Sequence, residues 1–172
     1  GDRGRPAFVS ARTLADWLEF IGHQHPDTIA LGLDRVRAVM ARMGVAIDCP
    51  VFTVGGTNGK GSTCAVLDAI LRASGRRVGL YASPHLLRYN ERVRIDGREA
   101  PDERLCESFA AVEQARGGVP LTYFEFGTLG AFWLFAQARP DALVLEVGLG
   151  GRLDAVNVVD ADCALLTSGA LD

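Results

Sequence analysis

Apolar residues recur at helical spacing in the first part of the chain. In segment 13–24 they stand at i, i+3, i+4 and i+7 counted from Leu14, which predicts an amphipathic helix that begins at a Thr13–Asp16 capping pair. Segment 33–43 shows a second apolar helical face and stops at Gly44. Both helices therefore have one face to bury against a core.

From residue 51 the pattern changes to short apolar runs separated by glycines. A strand is predicted at 51–54, a glycine-rich loop at 55–61, a helix at 62–74 and a second strand at 77–83. Strand, loop, helix and strand form a βαβ unit, which implies a parallel sheet.

Later segments continue the alternation of strands and helices. They are a strand and turn or a flap at 91–101, a helix at 101–115, a buried helix at 125–138, and strands at 142–148 and 163–167. The expected fold class is therefore α/β, with a mostly parallel β-sheet flanked by helices.

Composition narrows the function classes. With 172 residues, 48% hydrophobic and 23% charged, the chain suits one globular domain. The net charge is −3, and nothing in the sequence suggests a nucleic-acid interface, which would need a basic face. The most apolar run, 127–138, is shorter than the ~20 residues of a membrane span. Segment 1–10 has no apolar h-region, so we do not expect it to be a signal peptide. The four cysteines form no C-x-x-C pair and no histidine stands at zinc-ligand spacing, so we expect reduced thiols, no zinc site and a cytoplasmic protein.

The segment TVGGTNGKGSTCAV, residues 53–66, resembles a phosphate-binding loop but departs from the pattern G-x-x-x-x-G-K-[ST]. Val54 stands where the first glycine belongs, and Gly61 follows the lysine. Its setting between strand and helix still supplies backbone N–H groups, permissive glycines and a mobile positive charge. We therefore predict an ATP phosphate site, with a turn that binds no ligand as the alternative. The predicted ATP-binding residues are Gly56, Thr57, Asn58, Gly59, Lys60, Gly61 and Ser62.

Polar residues at strand ends suggest a metal site. Glu146 lies near the end of the apolar strand 142–148, where a carboxylate faces the ligand crevice of a parallel sheet and can bind Mg²⁺. Pairing with an arginine such as Arg152 is the alternative. Taken alone, Ser83 indicates a helix cap or turn residue, and His85 indicates a structural histidine more than a base.

The segment GLGGRLDA, residues 148–155, is not a dinucleotide fingerprint, because Leu153 stands where the third glycine belongs. We interpret it as a substrate-facing loop. Spacing alone would place Tyr123 and Phe124 in the core.

The loop GTNGKGS resembles the ATP loop of the Mur ligase superfamily. More narrowly, the chain is similar to bifunctional dihydrofolate synthase/folylpolyglutamate synthases from about residue 28 onward. The segments that agree in order are TIALGLDRV, YASPHLLRYNERVRIDG, LTYFEFGTL, LEVGLGGRLDAVN and TSGALD. The resemblance implies a P-loop-type sheet like the central domain of Mur ligases.

The resemblance also assigns ligands to positions. It implies that Ser83 and Glu146 bind Mg²⁺. It implies a dihydropteroate site in which aromatic faces stack the pterin and a carboxylate binds its amino-pyrimidine edge. The matching residues are Thr28, Ile29, Ala30, Leu31, Thr122, Tyr123, Phe124, Glu125, Leu153, Asp154 and Ala155.

The activity implied is that of an ATP-dependent acid–amino-acid ligase. ATP would convert the carboxylate of dihydropteroate to an acyl phosphate, which the amine of L-glutamate attacks to give dihydrofolate. The same chemistry would add glutamates to tetrahydrofolate. No covalent enzyme nucleophile is expected.

Family members continue with a histidine that binds a second magnesium, a modified lysine and a C-terminal glutamate-binding domain. We therefore interpret residues 1–172 as an incomplete N-terminal ATP- and pterin-binding domain, truncated at the C-terminus and inactive alone. A P-loop kinase, another Mur-type ligase and a non-catalytic ATP-binding module remain as alternatives. The oligomeric state stays open.

Overall fold

The computed structural model describes residues 12–24, 32–148 and 151–168. Its strands are β1 (Val51–Gly55), β2 (Val78–Tyr81), β3 (Val93–Ile95), β4 (Arg98–Glu99), β5 (Ala142–Glu146) and β6 (Cys163–Leu166). Its helices are α1 (Leu14–Gly22), α2 (Asp34–Arg42), α3 (Lys60–Ala73), α4 (Asp102–Arg116) and α5 (Tyr123–Ala138). Short 3₁₀ turns span Tyr89–Arg92, Gly151–Leu153 and Ala155–Val158.

The six strands form one sheet in the order β4-β3-β2-β5-β1-β6. Strand β5 lies between β1 and β2 and is parallel to both, and β6 is parallel to β1. Segment 91–101, predicted as a strand and turn or a flap, forms the antiparallel pair β3–β4 at one edge of the sheet. The predicted mostly parallel α/β fold is therefore confirmed.

Helices cover both faces of this sheet. Helix α3 packs on one face over a small core that includes Val54, Cys64 and Val144. The other face carries the larger core, in which aromatic residues of α5 such as Phe126 and Phe132 meet α4 and the sheet. No helix within the described ranges is long and apolar enough to cross a membrane.

Helix boundaries follow the capping residues. In α1, Asp16 N donates to Thr13 Oγ1 at 3.2 Å and Thr13 N donates to Asp16 Oδ2 at 2.9 Å, which is the predicted capping arrangement. Helix α5 begins two residues earlier than predicted, because Thr122 is its N-cap and forms a capping box with Glu125. The start predicted for α5, residue 125, was therefore wrong.

Helix α3 begins at Lys60 rather than at residue 62. Its N-cap is Gly59, which has a φ of 78°, a left-handed conformation that suits glycine. Lys60, Gly61 and Ser62 therefore form the first turn of the helix, where free backbone N–H groups concentrate.

Candidate active site

A cavity of about 740 Å³ opens beyond the carboxyl ends of β1, β2 and β5. In a parallel α/β sheet this edge is where ligands bind. The residues that line the cavity are Gly32, Arg35, Thr57, Lys60, Ser83, Pro84, Arg92, Thr122, Phe124, Glu125, Glu146, Gly148, Leu153, Asp154 and Ala155. One space therefore joins residues predicted for the phosphate, metal and pterin sites.

The glycine loop connects β1 to α3 and lies at the rim of this cavity. Gly56 has a φ of 127°, and a Cβ atom there would lie 2.1 Å from Thr167 Oγ1, so only glycine fits without a shift. Asn58 N donates to Ser168 O at 3.4 Å, which ties the loop to the chain after β6. Loop residues 56–59 are exposed, so the loop backbone is open to a ligand.

Lys60 leaves the first turn of α3 and crosses to the end of β5. Its Nζ donates to Gly148 O at 3.3 Å. With Thr57 it lines both the main cavity and a neighbouring one of about 940 Å³ that also contacts Gly56. A cation at a helix N-terminus between two cavities suits the β- and γ-phosphates of a nucleotide.

Glu146 ends β5 and is 6% exposed. Its Oε2 accepts a hydrogen bond from Ser83 N at 3.1 Å, which joins the ends of β5 and β2. Burial raises the pKa of Glu146, while the Ser83 hydrogen bond and the charge of Lys60 lower it. No ion pair to Glu146 occurs among the described side chains, and the side chain of Arg152 lies outside them.

The oxygen atoms at this point suit a divalent cation. A buried carboxylate on β5 and a hydroxyl-bearing residue after β2 both line the cavity, next to the phosphate loop. The described residues contain no group of three or more His, Cys, Asp or Glu side chains that could hold a metal. A hard cation with two protein ligands takes its other ligands from phosphate and water, as Mg²⁺ commonly does.

The predicted pterin residues divide into three groups. Thr122, Phe124, Glu125, Leu153, Asp154 and Ala155 line the main cavity. Tyr123 does not, because its ring packs edge-on against Tyr89 with centroids 6.3 Å apart. Residues 28–31, that is Thr28, Ile29, Ala30 and Leu31, lie outside the described residues.

Phe124 and Asp154 form one wall of the cavity. The Phe124 ring stacks on Tyr81 with centroids 6.1 Å apart and planes 22° apart. Asp154 is 3% exposed, and its carboxylate accepts from Gly148 N at 2.7 Å and from Val156 N at 3.0 Å. Burial raises the pKa of Asp154, against the effect of these two hydrogen bonds and of Lys60.

Glu125 has a structural partner that the sequence did not suggest. Arg35, on α2, donates from Nε to Glu125 Oε1 at 3.0 Å and lies 2.9 Å from Oε2 through Nη2. Thr122 N donates to the same Oε1 at 2.8 Å. The carboxylate therefore joins α2 to the start of α5 while lining the cavity.

The loop after Ser83 is fixed by one carboxylate. Glu91 accepts hydrogen bonds from the backbone N–H groups of Leu86, Leu87 and Arg88 at 2.9, 2.8 and 2.7 Å. Hydrogen bonds from Leu86, then Arg88 and Leu87, lower the pKa of Glu91 to about 2. His85, in the same loop, accepts from Arg92 Nε through Nδ1 at 2.8 Å, which supports its structural interpretation.

The chain is similar in sequence to known proteins. It is 58% identical over 164 residues to the dihydrofolate synthase/folylpolyglutamate synthase of Escherichia coli K12, covering 95% of this chain and 39% of that protein. It is 52% identical over 160 residues to the protein of the same name from Haemophilus influenzae, covering 92% of this chain and 36% of the relative. Over the matched residues, the chain is homologous to dihydrofolate synthase/folylpolyglutamate synthase. No protein-family model matches the chain.

Solved structures of dihydrofolate synthase/folylpolyglutamate synthases have the same fold. The E. coli protein in complex with DHPP and ADP superposes with a TM-score of 0.90 at 58% identity, over 94% of this chain and 39% of that one. A relative with Mn, AMPPNP and L-glutamate bound superposes with a TM-score of 0.89 at 56% identity. The match covers 94% of this chain and 39% of that relative. The predicted family resemblance is therefore confirmed, while the chain spans about 39% of the length of these relatives.

Two charged cavity residues were missed by sequence reasoning, and both are arginines. Arg35 and Arg92 lie inside segments that resemble dihydrofolate synthase/folylpolyglutamate synthases, but no spacing rule marks them as cavity residues. Arg35 neighbours a buried valine of α2, and Arg92 immediately precedes β3. Three-dimensional proximity alone reveals them.

Proposed function

We propose that this chain forms the ATP- and pterin-binding part of an ATP-dependent amide ligase that joins L-glutamate to dihydropteroate and lengthens the glutamate tail of tetrahydrofolate. The observation that carries the proposal is the shared cavity, which places Lys60 and Glu146 beside Phe124 and Asp154. The complexes of its homologues with DHPP and ADP, and with Mn, AMPPNP and L-glutamate, support these ligand classes. The proposed location is the cytoplasm, where its four free cysteines would stay reduced.

The phosphate loop would bind and orient ATP. The N–H groups of the first turn of α3 and the Nζ of Lys60 would hold the β- and γ-phosphates. A carboxylate oxygen of the pterin substrate would attack the γ-phosphorus, forming an acyl phosphate and releasing ADP. The glutamate amine would then attack the acyl carbon, form the amide bond and release phosphate. Such transfers depend mainly on positioning and on stabilising charge.

Ser83 and Glu146 are the residues that would hold Mg²⁺. When bound, the cation supplies positive charge that stabilises the negative oxygens of the transferring phosphoryl group. The protein itself would orient the buried Glu146 carboxylate toward the cation. The hydrogen bond from Ser83 N to Glu146 Oε2 would hold the carboxylate in that orientation.

The pterin ring would stack against Phe124 in the apolar part of the cavity. Asp154 and Ala155, at the start of the short turn after Leu153, would contact the ring edge. Because both carboxylate oxygens of Asp154 accept backbone hydrogen bonds, the side chain is held in place before a ligand arrives.

Lys60 is the only lysine in the chain, which allows a direct binding experiment. Reductive methylation with ¹³C-formaldehyde labels Lys60 and the terminal amine. We expect the Lys60 methyl signal to shift on addition of Mg·AMPPNP and to respond far less to AMP, which lacks the β- and γ-phosphates. Calorimetry should then show dihydropteroate binding to the nucleotide complex. No Lys60 shift with AMPPNP would overturn the proposal.

The same titration separates the rival functions. AMPPNP binding without any affinity for dihydropteroate would identify a nucleotide-binding module. Affinity for a UDP-sugar peptide instead would identify another Mur-type ligase. Turnover is tested in the E. coli relative after its matching residues are replaced by this chain. There, Lys60→Met and Glu146→Gln should each lower glutamate-dependent ADP release by about 100- to 1,000-fold.

A further inference from the structure

Arg92 is a cavity-lining cation next to the proposed metal site. It ends the 3₁₀ turn Tyr89–Arg92, and its backbone oxygen accepts from Ala82 N at 3.0 Å, one residue before Ser83. The pairing of β2 with β3 continues directly from this point. The backbone of Arg92 is therefore anchored to the strand end that carries Ser83.

Neutral groups fix the guanidinium of Arg92 on two sides. Its Nε donates to His85 Nδ1 at 2.8 Å, which uses that edge of the group. Its Cζ lies 5.2 Å from the ring centroid of Tyr89 and 5.7 Å from that of Tyr123, so the aromatic rings hold the guanidinium by cation–π contact. The side chain is thus oriented without a carboxylate.

No ion pair to Arg92 occurs within the described part of the chain, nor does either of its Nη atoms donate to a described acceptor. Arg35, the other arginine of the cavity, differs because Glu125 accepts two contacts from it. Glu91, the acidic neighbour of Arg92 in sequence, is engaged by three backbone N–H groups. The charge of Arg92 therefore faces the cavity without a protein counter-ion among these residues.

A guanidinium with its Nη edge open and its plane fixed is suited to bind a carboxylate through two parallel hydrogen bonds. The other cations and acids of the cavity have assigned partners: Lys60 contacts Gly148 beside the phosphate loop, and Asp154 accepts two backbone N–H groups. Phe124 and Arg92 line the same cavity, so an aromatic acid stacked on Phe124 can present its acid end to Arg92.

We propose that Arg92 binds the benzoate carboxylate of the pterin substrate, the group that accepts the phosphoryl, and positions it beside Ser83 and Lys60. This inference rests on the proposed function. It makes Arg92 a specificity residue, because a ligand that lacks only the carboxylate would gain nothing from it. It also explains why its partners in the protein are neutral: a protein carboxylate at this place would compete with the substrate.

The experiment compares two ligands in the presence of Mg·AMPPNP, dihydropteroate and its descarboxy analogue, in which hydrogen replaces the carboxylate. We expect Arg92→Met to weaken dihydropteroate binding by about 10- to 100-fold, the loss of a charged hydrogen-bonded contact, and to leave the analogue within about twofold. Arg92→Lys, which keeps the charge but not the fork, should be intermediate. Arg94→Met is the matched control, since Arg94 lies two residues further on, in β3, and contacts Glu99.

Each result has one meaning. Equal losses for both ligands in Arg92→Met, or no loss for either, would overturn the carboxylate role of Arg92 while leaving the proposed function intact. Failure of the unchanged chain to bind either ligand would overturn both. If Arg92→Met does not fold, Arg92→Lys alone decides the question, because a loss confined to dihydropteroate supports the role and an equal loss for both ligands contradicts it.

Discussion

The ion pair between Arg35 and Glu125 offers a sharp test of how the cavity is held together. It joins α2 to the first turn of α5 through contacts of 2.9 and 3.0 Å, with side chains 21% and 8% exposed. Glu125→Gln keeps an oxygen for Thr122 N but removes the negative charge that the Arg35 guanidinium contacts. A charged hydrogen-bonded contact is worth about 1.5–3 kcal/mol, and the partial exposure of Arg35 reduces this to about 1–2 kcal/mol.

The magnitude is measured with a double-mutant cycle. Urea unfolding is followed for Glu125→Gln, Arg35→Met, the double variant and the unchanged chain. Because the cycle subtracts whatever else Arg35 contacts, the remainder is the coupling energy of the pair. We expect a coupling of about 1–2 kcal/mol. The exposed pair Arg104–Glu107 on α4 is the matched control, with an expected coupling of at most about 0.5 kcal/mol.

Additivity at Arg35 and Glu125 within about 0.5 kcal/mol would refute the reasoning, because independent sites add to that precision. A coupling no larger than that of Arg104 and Glu107 would do the same. Either result would mean that the contact between α2 and α5 depends on the apolar core and not on the charges.

Three other predictions follow from single features of the fold. Gly127→Ala should destabilise the chain by about 1–3 kcal/mol in thermal unfolding, since its Cβ would lie 2.4 Å from Tyr89 Oη, and Tyr89→Phe should restore much of that loss; no restoration would contradict the clash. The pKa of Glu91 is lowered to about 2 in the fold from about 4.5 in the unfolded chain, so the ionised carboxylate stabilises the fold above pH 4.5. This contribution to the free energy of unfolding should be lost as the pH drops from 4.5 toward 2, and Glu91→Gln should flatten the acid side of the pH–stability curve. Burial raises the pKa of the Cys64 thiol to about 12, and the nearby negative charge of Glu146 contributes less. Iodoacetamide at about pH 8 should therefore alkylate the exposed Cys163 and not Cys64, and peptide mass mapping would show which cysteine carries the label.

The sequence predicted the elements well where the chain is strongly periodic or carries a clear cap. The apolar face of α1 and its Thr13–Asp16 pair appear as expected, and so does the βαβ unit around the glycine loop. The start of α5 was missed because the aromatic residues before Glu125 look like core rather than a first helical turn. The capping signal of Thr122 with Glu125 was present and would have corrected it.

The candidate site was only partly predictable from the sequence. Lys60 and Glu146 could be found, because a lysine after a glycine turn and a carboxylate at a strand end carry local signals. Arg92 carries none: its role depends on His85, Tyr89 and Tyr123, which meet it only in three dimensions. Long-range pairings of this kind are invisible to periodicity, which reports one element at a time.

The position of β5 between β1 and β2 has a consequence for how the protein is made. The glycine loop and Ser83 leave the ribosome long before Glu146, and the interval between residues 81 and 142 takes several seconds at about 5–20 residues per second. During that time β1 and β2 each present an unpaired edge that only β5 can fill, and such edges attract other strands. Translation speed across the segment that encodes α4 and α5 therefore sets how long these two strand edges stay exposed in the nascent chain.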